Sequence, residues 1–62
     1  MIIMEMYVNE INFCVNNKDY KIELKEPIMA YSYDEMREYA KKEVERYMSQ
    51  HGIPGPYTLY GL

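Results

Sequence analysis

The sequence has very little of the residue types on which cross-linking, metal binding and catalysis most often depend. Its 62 residues include one cysteine, one histidine and no tryptophan. A lone cysteine, Cys14, cannot form an intrachain disulfide, and it excludes a zinc site built from several cysteines. His51 has neither a second histidine nor a paired nucleophile. We therefore interpret His51 as a covered structural residue at a helix end, and we expect no metal and no cofactor.

Long apolar runs are also missing. The N-terminal MIIMEM is apolar for only four residues before Glu5 and lacks a basic leader, so we expect neither a signal peptide nor a membrane span. The unpaired cysteine is typical of a reducing, cytoplasmic setting. Seven basic and ten acidic residues give a net charge of −3. This balance argues against general binding to a phosphate backbone, so no direct nucleic-acid binding is expected.

The short length of the chain limits its core. A chain of 62 residues forms one domain, residues 1–62, and buries only about 60% of the surface that it exposes when unfolded. Such domains usually gain support from disulfides, metals or association, and association is the option left here. We therefore expect a homo-oligomer. The eight tyrosines and six methionines fit either a contact surface or the filling of a small core.

The clearest local pattern is a β-hairpin in residues 11–24. Apolar residues alternate with polar ones on both sides of an Asn/Asp-rich turn, which predicts two antiparallel strands. A four-residue turn, Asn16 to Asp19, would place Phe13 opposite Ile22 and Glu10 opposite Lys25. The predicted strands are residues 2–15 and 20–24.

The alternation changes phase at Asn9 and Glu10, which indicates either a bulge in a long first strand or a tight turn. Pro27 interrupts the returning strand in the same neighbourhood. Because proline cannot donate a ladder hydrogen bond, we predict a separate short strand at residues 28–31.

One amphipathic helix, residues 33–51, is predicted next. Ser32 can accept a hydrogen bond from the Glu35 amide while the Glu35 carboxylate reaches back to the Ser32 amide, which is a capping box. An apolar stripe follows at helical spacing. It consists of Tyr33, Met36, Ala40, Val44, Tyr47 and Met48. The charged residues lie outside this stripe, with Glu38 and Lys42 spaced for an ion pair.

The closing stretch, HGIPGPYTLYGL, combines a helix stop with a predicted strand. Gly52 is placed to adopt the left-handed conformation, Ile53 can fold back onto Met48, and Pro54 prevents continuation of the helix. Residues 57–60 are aromatic and β-prone enough to form a strand. This strand would pair either with the first strand or with a second copy of the chain. The expected fold is an α+β domain of order β-β-β-α-β, a small antiparallel sheet packed on one helix.

No arrangement typical of an active site can be assembled from the sequence. A glycine-rich phosphate loop, zinc-ligand spacing and a Ser/His/Asp or Cys/His set are all missing, so the chain is not expected to be an enzyme. Glu43 lies at the edge of the apolar stripe, where it either pairs with a neighbouring side chain or contacts a partner. The candidate partner-contacting residues are Glu43, Tyr39, Tyr57 and Tyr60, and the structural capping residues are Ser32, Glu35 and Gly52.

The segment SYDEMREYAKKEVERYM, residues 32–48, followed by GIPGP at 52–56, resembles the helix of HicB-like antitoxins. The matching residues are Ser32, Asp34, Glu35, Ala40, Lys41, Val44, Tyr47, Met48 and Ile53-Pro54-Gly55-Pro56. Upstream, residues 18–22 correspond to the Asp-Gly-Tyr hairpin start of that family, so the resemblance covers residues 11–56. The family's Pro-Asp-x-Pro-Gly segment is replaced by a shorter connection containing Glu26-Pro27.

This resemblance implies an incomplete ribonuclease-H-like fold that binds and inhibits a small mRNA-cleaving, HicA-like toxin. It does not extend to an operator-binding domain. Two other functions are open on the sequence. One is a phage or mobile-element inhibitor of a host nucleic-acid-processing or defence enzyme, and the other is a structural accessory subunit.

Overall fold

The computed structural model describes residues 4–61, which form three strands and one helix. The strands are β1 (Met6–Val15), β2 (Lys18–Ala30) and β3 (Thr58–Gly61), and the helix α1 (Tyr33–His51) lies between β2 and β3 in the chain. All pairings are antiparallel, in the order β2-β1-β3. The α+β class is confirmed, but the order along the chain is β-β-α-β.

The hairpin between β1 and β2 turns over two residues, not four. Asn16 and Asn17 both have positive φ, 50° and 64°, which is the conformation of a type I′ turn. Val15 therefore lies opposite Lys18, and Phe13 lies opposite Tyr20. The predicted register is wrong by two residues, which leaves every side chain on its predicted face because the side-chain period of a strand is two.

The new register also changes the ion pair on the outer surface of the sheet. Glu10 bonds Lys21 across the two strands with an N–O distance of 3.0 Å, rather than Lys25. The bond to Glu10 raises the pKa of the Lys21 ammonium, and the carboxylate charge acts in the same direction.

The register between β1 and β2 shifts between Val8 and Glu10, as the phase change predicted. However, β2 runs through Pro27 without a break, so the prediction of separate strands at 20–24 and 28–31 is wrong. The physical reason is that Pro27 lies in this irregularity, where residues 24–27 of β2 have no partner on β1, and that β2 is an edge strand, so no N–H is needed from Pro27 on either side. Of the predicted first strand, residues 2 and 3 lie outside the described residues, and Met4 and Glu5 precede β1.

The core lies between the inner face of the sheet and α1. Ile11, Phe13 and Val15 alternate along β1 and are buried, because the central strand is covered on that face. They pack against a buried stripe of the helix formed by Ala40, Val44 and Met48. The outer face of the sheet is solvated, as is common for an antiparallel sheet. It carries charged and polar side chains together with the exposed Tyr7, Met29 and Tyr60.

The helix begins at Tyr33, and its first turn is capped by Ser32. The Ser32 hydroxyl accepts a hydrogen bond of 3.1 Å from the Glu35 amide. Within the described residues, the reciprocal bond from the Glu35 carboxylate is not formed. The residues of the predicted apolar stripe are buried or half-buried, with the exception of Tyr33, which is exposed. On the solvated face of the helix, Glu38 forms its ion pair with Lys41, not with Lys42 as predicted.

The helix ends as the sequence predicted. Gly52 has φ 64° and ψ 36°, a conformation that costs a residue with a Cβ free energy. The Ile53 amide donates to the Met48 carbonyl at 2.9 Å and the Gly52 amide donates to the Ser49 carbonyl, which together form a Schellman ending. In residues 4–61, α1 lacks the long apolar stretch that a bilayer-crossing helix needs.

The last strand pairs with β1 of its own chain, and it starts at Thr58 instead of residue 57. Gly61 lies opposite Asn12 on β1. A Cβ on Gly61 would lie only 2.8 Å from the Cβ of Asn12, so glycine permits the close approach of the two strands at this point.

We predict that Ser32→Ala lowers the free energy of unfolding by about 1 kcal/mol, because the Glu35 amide loses its side-chain acceptor. Chemical denaturation followed by circular dichroism measures the change. The matched control is Ser49→Ala, the same substitution at an exposed helical position, which should change the free energy by less than about 0.5 kcal/mol. Equal effects of the two variants would contradict the cap.

We also predict that Gly61→Ala weakens the docking of β3, because its new methyl group would clash with the Asn12 side chain near its rigid Cβ. The hydrogen-exchange protection of β3 amides should fall in this variant. Gly55→Ala is the control, since a Cβ there would meet the Met48 methyl carbon at an ordinary 3.7 Å. Unchanged exchange in the Gly61 variant would show that the strands are not this close.

Candidate protein-binding site

The most exposed large apolar side chains in residues 4–61 are all tyrosine or methionine. They are Met4, Tyr7, Met29, Tyr31, Tyr33, Tyr39 and Tyr60. By contrast, the fully buried large side chains are Phe13, Ile11, Met36 and Val44, and none of them is a tyrosine. Five of the eight tyrosines are thus exposed, and tyrosine and methionine are typical of protein contact surfaces. The other three, Tyr20, Tyr47 and Tyr57, are half-buried against the core.

A groove runs between β2 and α1 on the inner side of the sheet. Its volume is about 280 Å³, and it is lined by Ile28, Tyr39, Lys42 and Glu43. Ile28 comes from the end of β2 that follows Pro27. Tyr39 and Glu43 are four residues apart on α1 and so lie one above the other on the same helix face. We call this feature the β2–α1 groove.

The groove combines an apolar floor with charge at its rim. Ile28 is half-buried and packs against the core, while Tyr39 is 39% exposed. Glu43 lies 3.9 Å from the Arg46 guanidinium, at the long limit of an ion pair, and its side chain is 35% exposed. Such an exposed pair contributes little stability, so the Glu43 carboxylate is available for a basic group of a partner.

The structure separates the four residues predicted to contact a partner into three locations. Tyr39 and Glu43 meet in the β2–α1 groove, at the β2 edge of the sheet. Tyr57, just before β3, and Tyr60, within β3, lie at the opposite edge and on opposite faces of the sheet. Sequence reasoning missed Ile28 and Lys42. The position of Ile28 just after Pro27 is the signal that could have indicated a side chain near an unpaired edge.

Tyr57 is half-buried and supports the core. Its ring packs edge-on against Phe13 with a centroid distance of 6.4 Å, and its hydroxyl donates to the Glu45 carboxylate over 3.4 Å. Burial raises the pKa of the Tyr57 hydroxyl, and the nearby negative charge of Glu45 raises it further. The contacts of Tyr57 join β3 to the helix.

Tyr60 lies on the outer face of the sheet and is 58% exposed. Partial desolvation raises the pKa of its hydroxyl, and the neighbouring Asp19 carboxylate acts in the same direction. Tyr60 is thus directed away from both the helix and the β2–α1 groove.

The interpretation of His51 as a covered residue is wrong, because its side chain is exposed. The Tyr47 ring fills the space at that end of the core, 5.9 Å from the Phe13 ring centroid. His51 stacks on the outer side of Tyr47 with a centroid distance of 4.2 Å. It closes an aromatic cluster at the end of the helix. In the described part of the chain, no three His, Cys, Asp or Glu side chains converge as a metal-ligand set.

Comparison with known proteins yields no match to any family model, curated protein or solved structure. The likeness to HicB-like antitoxins stays a prediction based on residues 11–56.

The Tyr57 environment predicts a specific loss of stability at alkaline pH. Since the folded pKa of Tyr57 is raised above the unfolded value of about 10, its contribution is complete below that pH. The contribution is lost as the pH rises from there through the folded pKa. Tyr57→Phe should therefore show a smaller decline in unfolding free energy over this range than the wild type.

Chemical denaturation at a pH below the tyrosine pKa and at a pH above it measures that decline in the free energy of unfolding. Tyr33→Phe is the control, because it makes the same change on an exposed side chain at the start of α1. Identical pH dependence in the wild type and in Tyr57→Phe would contradict the assignment.

Proposed function

We propose that this chain is a non-catalytic protein-binding module of the antitoxin type, which binds a small, basic, mRNA-cleaving toxin and inhibits it stoichiometrically. The observation that carries the binding role is the β2–α1 groove. It presents apolar surface from Ile28 and Tyr39 next to the Glu43 carboxylate, and Lys42 completes its lining. The resemblance of residues 11–56 to HicB-like antitoxins supports this class of partner.

The groove is suited to a bulky side chain of a partner. Small binding sites are concave and mainly apolar, with a few polar groups that fix orientation. A hydrophobic or aromatic anchor can pack between Ile28 and Tyr39, while a lysine or arginine beside it can pair with Glu43. Tyrosine contributes rigid contact area with little loss of conformational entropy, which makes Tyr39 a candidate hot spot.

The charge of the chain supports the choice of a basic partner. The net charge of −3 would attract a cationic protein and speed its association. An RNA-cleaving toxin is such a protein because it must bind a polyanion. Binding in the cytoplasm, where mRNA is translated, is part of this proposal.

The test is co-expression with a HicA-like toxin from a reading frame adjacent to the gene for this chain, followed by calorimetry on the purified pair. We expect the chain to restore growth and to bind the toxin at a fixed ratio. Tyr39→Ala should weaken binding by at least roughly tenfold, as expected for a central anchor residue. The double variant Tyr39→Ala with Glu43→Lys should bind the toxin more weakly than Tyr39→Ala alone.

Tyr33→Ala is the matched control, since Tyr33 is an exposed tyrosine of the same helix that does not line the groove. It should change the affinity by less than about twofold. A toxin that is neither bound nor neutralised would contradict the proposed class of partner. Equal losses for the two tyrosine variants would exclude the groove, and RNA cleavage by the purified chain would overturn the non-catalytic assignment.

A further inference from the structure

β2 is an edge strand whose outer side has no neighbour within the described chain. Strand edges carry free N–H and C=O groups that can pair with another strand. Pro27 lacks an N–H and follows Glu26 directly, so it ends the stretch that can pair. The available edge therefore runs from Lys18, the first residue of β2, to Glu26. Its part from Lys18 to Glu23 is paired with β1 on the other side, whereas residues 24–26 are extended but have no partner on β1.

The side chains of this edge form two distinct rows. The row on the outer face alternates in charge, and it consists of Asp19, Lys21, Glu23 and Lys25. The row on the inner face is apolar and only half-buried, and it consists of Tyr20, Ile22 and Leu24. An unpaired edge with an ordered pattern of this kind is suited to a partner strand with the complementary pattern.

We infer that two copies of this chain pair antiparallel through their β2 edges, about a two-fold axis at Ile22. In this register Lys21 lies opposite Glu23 of the second copy, and Asp19 lies opposite Lys25 of the second copy. The ends agree as well, because Lys18 lies opposite Glu26. Every charged residue of the edge thus faces the opposite charge, which stabilises cross-strand pairs.

Neighbouring registers do not have this property. A two-fold axis perpendicular to the sheet keeps both helices on one face. Two opposite residues must then have their side chains on the same face, so both have even numbers or both have odd numbers. The axis can therefore be moved from Ile22 only to another residue, such as Lys21 or Glu23. Centring the axis on Lys21 opposes two lysines and also opposes Asp19 to Glu23. Centring it on Glu23 opposes two glutamates and also opposes Lys21 to Lys25. Registers centred on Tyr20 or Leu24 also oppose unlike charges, but each has only one kind of pair, Asp19 with Lys21 or Glu23 with Lys25. The Ile22 register has the most pairs of opposite charge and the longest paired stretch, so the charge pattern favours it.

An uncompensated charge in the single chain favours the same arrangement. Glu23 lies directly opposite Glu10 on β1, and like charges in that position destabilise a sheet. Lys21 forms its ion pair with Glu10, and in residues 4–61 Glu23 makes no ion pair of its own. In the dimer, Lys21 of the second copy would lie beside Glu23 and compensate for its charge.

Pairing would also extend the small core. Ile22 would meet its own copy at the axis, and Tyr20 would meet Leu24 of the second copy, so half-buried apolar surface would be covered. The two three-stranded sheets would become one continuous sheet with both helices on the same side. Ile28 lies beyond Pro27, outside the paired stretch, so this inference is independent of the toxin proposal.

The experiment is sedimentation equilibrium of the purified full chain over a range of concentrations. The wild type should have twice the 7.5 kDa mass of one chain. Glu23→Lys places the new lysine opposite Lys21 of the second copy at two symmetric places, and it should weaken the dimer by at least roughly tenfold. The same change removes the repulsion from Glu10, so circular dichroism should show a folded monomer.

The double variant Lys21→Glu with Glu23→Lys exchanges the two charges and restores complementarity across the axis, so it should be a dimer again. Glu38→Lys makes the same net charge change on an exposed helix position and should leave the dimer intact. A monomeric wild type would overturn the inference. So would a dimer unaffected by Glu23→Lys, or a double variant that stays monomeric while folded.

Discussion

The packing of one strand against one helix stripe holds this fold together. Ile11, Phe13 and Val15 of β1 are buried against Ala40, Val44 and Met48 of α1, and the half-buried residues of β2 and β3 pack around this cluster. Phe13 is its centre, with aromatic contacts to Tyr20, Tyr47 and Tyr57. Deleting such a ring usually costs about 3–5 kcal/mol, comparable with the whole stability expected for a domain of this size.

This constraint also explains where binding surfaces can form. The core is filled by residues of the central strand and of the helix stripe, with Tyr20, Tyr47 and Tyr57 packed around them. The other five tyrosines, together with Met4 and Met29, are exposed. The β2–α1 groove forms where the helix passes the outer strand and leaves Ile28 and Tyr39 partly uncovered. The same outer strand keeps an unpaired edge with alternating charge. The proposed toxin contact and the proposed dimer contact therefore both lie at the β2 edge of the sheet, which has no neighbouring strand within the described chain.

Much of this fold could be predicted from local patterns. The capping serine, the glycine stop and the alternation in residues 11–24 each depend on neighbours in sequence, and the structure contains all three. The hairpin turn was mispredicted because two asparagines can both adopt positive φ, which permits a tighter turn than the Asn/Asp-rich stretch suggested. The predicted break at Pro27 is wrong because an edge strand can contain a proline, whose missing N–H is not needed for pairing there. The β2–α1 groove could not be predicted, because its position depends on the order of the strands in the sheet, with β2 and β3 on opposite sides of β1. Local sequence patterns do not determine this order.

The three strands differ greatly in how far along the chain their contacts reach. The two-residue turn joins β1 to β2, whereas β3 reaches Asn12 of β1 from the opposite end of the chain, at Gly61. Closing a long loop costs more entropy than closing a short one, and only four residues of β3 offset that cost. We therefore expect the detachment of β3 to cost less free energy than the separation of the hairpin from the helix. It would uncover the side of the Phe13 ring that Tyr57 contacts, while Tyr20 and Tyr47 remain packed on the ring, and so create a transient state with exposed core surface.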